Sequence, residues 1–124
     1  MFAELTIRNT TQKVLVNLNA VTQIYDDGDS TSSLDCIKSS DQTQHFPLEE
    51  SFANLVHLLP NFAVFHEIDI NRAIGFHKDA ILYVDTNAQG QTEIYTGSTN
   101  NLTILAETIE QVYAILNQEL LVGV

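Results

Sequence analysis

Four histidines, one cysteine and a run of aspartates are the residues of this 124-residue chain that could carry chemistry. His45, His57, His66 and His77 fall at no metal-ligand spacing such as H-x-x-x-H, and Cys36 has no second thiol to join it. Surface or partly buried histidine is the plain reading of all four. His66 and Glu67 are neighbours, so in a strand they point to opposite faces. Asp26, Asp27, Asp29 and Asp35 suggest calcium at first sight. The EF-hand order of Asp-x-Asp-x-Asp-Gly with a glutamate at the twelfth place is absent, and a hairpin turn explains the cluster. Asp35 beside Cys36 raises the thiol's pKa instead of activating it. No G-x-x-x-x-G-K, G-x-G-x-x-G or G-x-S-x-G occurs. The expectation is therefore no enzyme, no metal and no cofactor.

Charge is the sharpest global property. Sixteen acidic residues face five basic ones, Arg8, Lys13, Lys38, Arg72 and Lys78, for a formal net charge of −11. Nucleic-acid affinity rests on lysine and arginine neutralising phosphates, so direct nucleic-acid binding is disfavoured. An anionic membrane surface is disfavoured for the same reason. A basic protein partner is favoured, because opposite fields steer association. Solubility alone also accounts for such acidity. The N-terminal Met-Phe-Ala-Glu-Leu-Thr lacks a basic segment followed by an apolar stretch, and no apolar run approaches a membrane span of roughly 20 residues. A lone cysteine suits a reducing compartment. The expected location is the cytoplasm.

These groups must be positioned by strands and two helices. Alternation and β-branched residues predict strands near 4–8, 13–18, 21–25, 31–38, 42–46, 62–70, 80–86 and 91–96. Turn residues at 9–12, 26–30, 39–41, 87–90 and 97–101 separate them. Leu48, Phe52, Leu55, Val56 and Leu59 fall at i, i+4, i+7, i+8 and i+11, one face of a helix over 48–59 with Pro47 in its first turn. Leu105, Ile109, Val112, Tyr113 and Leu116 repeat that spacing 57 residues later, predicting a helix over 105–118. Glu50-Ser51 then falls on Glu107-Thr108. Upstream, Val16-Asn17-Leu18-Asn19 pairs with Ile68-Asp69-Ile70-Asn71 if the second half carries a small insertion.

Apolar spacing of this kind also arises in any amphipathic helix. As a repeat, it divides one domain, 1–124, into units 1–60 and 61–124. Each unit alone buries too little surface to be stable, so the two should pack together. The expected class is α+β: antiparallel β-sheet with two amphipathic helices, each closing a β-rich unit. Phe52, Leu55, Leu59, Ile109, Val112 and Leu116 are the expected core.

Two family resemblances follow from local motifs. Leu5-Thr6, Asn9, Val16-Asn17, Val21, Ile24 and Glu50-Ser51-Phe52 resemble the FlbD-type small flagellar regulators over the first half. Tyr25-Asp26-Asp27-Gly28-Asp29-Ser30-Thr31, Leu58-Leu59-Pro60-Asn61-Phe62 and Phe62 to Asn71 are similar to a LytTR-type DNA-binding domain over most of the chain. That resemblance implies a DNA-binding transcription regulator. The departures bear on the same positions. Phe65-His66-Glu67 stands where the family has His, a basic residue and Ser, and Ser98-Thr99 stands where it has Ser-Arg. Arg72, His77 and Lys78 are the only basic cluster left to read DNA.

The leading expectation is a non-enzymatic acidic protein docking on a basic, nucleic-acid-binding partner surface. An inhibitor, an immunity protein or an anti-defence protein of phage type acts in this way. Candidate contacts are Asp26, Asp27, Asp29, Asp35 and Asp41 in the first half, with Glu67, Asp69 and Asp79 in the second. The rival is the LytTR-like or FlbD-like regulator, and a third reading is a structural or oligomerisation module, marked by a concentration-dependent mass. The sequence leaves the oligomeric state open.

Overall fold

The computed structural model describes residues 1–39, 42–96 and 102–117. Strand β1 (Phe2–Thr6) pairs antiparallel with β2 (Lys13–Asn17). Asn9 takes a positive φ in the turn between them, a conformation asparagine tolerates. A 3₁₀ turn (Leu18–Ala20) follows, capped by the Asn17 side chain accepting from the Asn19 N–H. Strand β3 (Val21–Gly28) and β4 (Thr31–Ser39) form a hairpin, closed by Asp29 and Ser30 with both φ values positive. Two such residues in succession match the right-handed twist of the flanking strands. Asp26 and Asp27 thus belong to β3, and the turn is shorter than the acidic run suggested.

Strand β5 (Gln42–Leu48) is an edge strand and is followed by helix α1 (Phe52–Leu58). Pro47 lies in β5 and not in a helix. An edge strand tolerates the missing N–H, and the Pro47 carbonyl accepts from the Arg8 N–H at 2.9 Å. The helix starts at Phe52 because Ser51 caps it through the Asn54 N–H.

The same order then recurs. β6 (Phe62–His66) begins 60 residues after β1 (2 to 62), and β7 (Ala73–His77) begins 60 after β2 (13 to 73). A 3₁₀ turn (Lys78–Ala80), β8 (Ile81–Thr86), β9 (Thr92–Thr96) and β10 (Leu102–Leu105) lead to helix α2 (Ile109–Leu116). α2 begins 57 residues after α1 (52 to 109), because β8 to β10 (81–105) spans three residues fewer than β3 to β5 (21–48). Hydrogen bonds recur as well. Arg8 N to Pro47 O at 2.9 Å has its counterpart in Ile68 N to Ile104 O at 3.1 Å. Leu18 N to Met1 O and Lys78 N to Asn61 O are both 3.0 Å.

Three expectations are corrected. Residues 62–70 are not one strand: β6 ends at His66, and Glu67 opens a turn closed by its own N–H to Arg72 O at 2.9 Å. β7 was missed because Gly75 interrupts its apolar run. Val16-Asn17 consequently corresponds to Phe76-His77, not to Ile68-Asp69. Leu48 and Leu105 end strands instead of opening helices, bridging antiparallel to Ile7 and Glu67 respectively.

The class is α+β with antiparallel sheets. A five-stranded sheet of order β5-β4-β3-β7-β6 joins the two halves, and β8-β9-β10 forms a three-stranded sheet. The joint is β3 against β7, with Gln23 opposite Phe76, Ile24 opposite Gly75 and Tyr25 opposite Ile74. Two cores flank it. Leu5, Val16, Ile24, Leu34, Leu48 and Leu55 fill the first, and Phe65, Phe76, Ile94, Leu105 and Val112 the second. Of the expected core, Leu55, Leu59 and Val112 are buried, while Phe52 and Leu116 are partly buried. Ile109, the first residue of α2, is 36% exposed and does not belong to the core.

Candidate interaction surface at the junction of the two halves

Charged side chains gather where β3 meets the β6–β7 turn. Arg72 precedes β7 and donates from Nε to Glu67 Oε1 at 2.9 Å, with a second nitrogen 2.7 Å from the same oxygen. It also lies 3.5 Å from Asp27 Oδ1, and its guanidinium covers the Tyr25 ring at 5.0 Å. From the first half, Arg8 reaches Asp27 Oδ2 at 2.5 Å and the Ser32 carbonyl at 2.5 Å. Tyr25 in turn donates to Asp35 Oδ2 at 2.6 Å, and the His45 ring contacts Asp35 Oδ1 at 2.7 Å. One continuous polar network thus runs from Arg8 to His45 across the joint.

Burial, followed by the hydrogen bond to the Asp35 carboxylate, pushes the Tyr25 phenol far above its ordinary pKa. Burial and then Asp35 push the Cys36 thiol up to about 11, so it stays protonated at neutral pH. Both groups act as neutral packing elements there.

A groove of about 430 Å³ opens beside the network, lined by Tyr25, Glu67, Asp69, Arg72, Leu102 and Ile104 among others. Its charged rim holds two carboxylates and one guanidinium. Among the described residues no three His, Cys, Asp or Glu side chains converge as a metal site.

The proposed contact residues separate into groups. Asp27 and Glu67 are brought together by Arg72, a proximity invisible across forty residues of sequence. Asp35 is buried with both oxygens engaged, so it is a structural link and not a docking residue. Asp26 is half-buried and accepts from the Gly28 N–H at 3.0 Å. Asp29 and Asp69 are exposed on turns. Asp79 sits away from this group, accepting from Asn61 at 3.3 Å beside His77. Asp41 lies outside the described residues.

The expected basic cluster does not assemble. Arg72 precedes β7 and His77 ends it, so strand geometry sets them roughly 17 Å apart. Sequence reasoning missed Arg8, Tyr25 and His45, whose types gave no pattern. It noted the Glu50 and Glu107 correspondence without its role. Both carboxylates accept the N–H that ends the first strand of their half: Glu50 from Thr6 at 3.1 Å and Glu107 from His66 at 2.9 Å. Glu107 also holds the His66 ring at 2.8 Å.

No protein-family model, no curated protein and no solved structure matches the chain. Function is therefore argued from the surface itself. No helix among the described residues is long and apolar enough to cross a membrane.

Proposed function

We propose that the chain is a non-enzymatic binding protein whose acidic surface docks on a basic surface of a protein partner. The observation that carries this reading is the internal use of its cations. Arg8 is committed to Asp27, and Arg72 to both Asp27 and Glu67, at the junction. The outward carboxylates beside them, Asp29 and Asp69, face solvent on neighbouring turns. With sixteen acids and only five bases in the chain, the local field there is negative. Inhibitors that cover a nucleic-acid channel present carboxylates where phosphates would lie, and the charge balance suits that class.

A titration against labelled duplex DNA tests the reading against its rival. No sequence-dependent binding is expected at about 150 mM salt, since a basic stripe is required and Arg72 lies apart from His77 and Lys78. Residual binding at low salt should fall only shallowly as salt rises, because few phosphates can be neutralised. Nanomolar, sequence-dependent binding would overturn the acidic-docking reading in favour of a DNA-binding regulator of the LytTR or FlbD type.

A further inference from the structure

We propose that copies of this chain associate head to tail, strand β2 of one copy adding to the free edge of β8 in the next. The two halves share one element order, and inside the chain they are joined by β3 of the first half against β7 of the second. The counterpart of β3 in the second half is β8, and the counterpart of β7 in the first half is β2. Among the described residues, β8 pairs with β9 alone and β2 with β1 alone. The chain therefore carries one used copy of this joint and the two unused halves of a second.

Side chains follow the same logic. Two positions buried at the internal joint have counterparts exposed at the free edges. Gln23 on β3 is 2% exposed, and Tyr83 at the same place on β8 is 53% exposed. Gly75 on β7 is buried, whereas Leu15 on β2 is 67% exposed. Phe62 of the second half packs on the core of the first. Its counterpart Phe2 is 64% exposed, beside a groove of about 380 Å³ lined by Val14, Leu15, Ile37 and Phe46 among others. These are surfaces that the same joint formed between copies would cover.

The internal register transfers directly. Tyr83 should lie opposite Val16, Val84 opposite Leu15, and Asp85 opposite Val14. Inside the chain the large residue sits on the β3 side, Ile24 against Gly75. Between copies it changes sides, with Leu15 against the shorter Val84. Charge agrees as well. Arg72, just before β7, covers the residue at position 25 on β3. The matching residue on β8 is Asp85, whose Oδ1 is buried without a hydrogen-bond partner among the described residues. Gln12 and Lys13, just before and at the start of β2, would bring donors to it from the neighbouring copy.

Such a contact uses two different edges, so it propagates until a ring closes or a filament grows. Two exposed edge strands left unpaired are a known route to association, which supports pairing between copies.

Sedimentation from about 1 µM to about 1 mM protein tests the proposal, since mass action governs the assembly. The wild-type mass should rise with concentration above the 13.8 kDa of one chain. Leu15→Glu spoils only the β2 edge, and Tyr83→Glu only the β8 edge. Both side chains are exposed, so circular dichroism should show each variant folded. Each variant alone should remain at single-chain mass. An equimolar mixture should give a two-chain species and nothing larger, because one good edge remains on each partner. A wild-type mass of 13.8 kDa at every concentration overturns the proposal. So does a folded variant that still self-assembles, or a mixture that stays monomeric.

Discussion

Replacing Gly75 by leucine, the residue at its counterpart position 15, should destabilise the fold by about 3 kcal/mol. A Cβ at Gly75 would lie 2.6 Å from Ile24 Cγ1 and 2.9 Å from Ile24 Cδ1. Ile24 is fully buried in the first core and cannot move aside without disturbing Leu5, Leu34 and Leu48. The clash falls on the strand pair β3–β7, the one that joins the two halves among the described residues, so it weakens both cores together. Urea unfolding measures the effect. Pairing Gly75→Ala with Ile24→Ala should cost less than the sum of the single changes, because the second makes room for the first. Leu15→Gly, by contrast, should cost only about 0.5–1 kcal/mol, the usual penalty for glycine in a strand. Equal effects at positions 15 and 75 would contradict the assigned packing.

Truncating the cores should show an equally sharp contrast. Leu55 is the buried residue of α1, and Phe65 is fully buried on β6. Leu55→Ala should cost about 2–5 kcal/mol and Phe65→Ala about 3–5 kcal/mol. Ile109→Ala should cost less than about 1 kcal/mol, since the side chain is already partly in water. Helical spacing alone placed Ile109 in the core with the same standing as Leu55. The structure separates them, and chemical denaturation of the three variants checks the separation. A loss at Ile109 matching that at Leu55 would mean that something else covers α2.

Much of this arrangement was legible in the sequence. Strand and helix types followed from alternation and from the i, i+4, i+7 spacing. The recurrence of Glu50-Ser51 at Glu107-Thr108 marked equivalent helix starts, because capping and the carboxylate clamp require those residue types. Strand β7 was not legible, since Gly75 and the flat burial of Ile74, Gly75 and Phe76 remove its alternation. A strand buried on both faces reads as a plain apolar run. The junction network was hidden for a different reason. Asp27 and Glu67 become neighbours only through the β3–β7 pairing, and the sequence groups Arg72 with His77 and Lys78 instead of with them. Asp35 looked like one more member of an acidic turn, yet the register of β4 with β3 and β5 draws it inward onto Tyr25 and His45.

The docking claim is tested most directly by capturing a partner from lysate with an affinity-tagged form of this protein and titrating the purified pair over a range of salt. Asp26, Asp29 and Asp69 are the residues to change together to asparagine. Asp27 is left intact because Arg8 and Arg72 depend on it. Affinity should fall steadily from about 50 to about 500 mM salt, and the triple variant should bind at least about tenfold more weakly with a shallower salt slope. Binding unchanged by both salt and the triple substitution would contradict docking through the acidic surface.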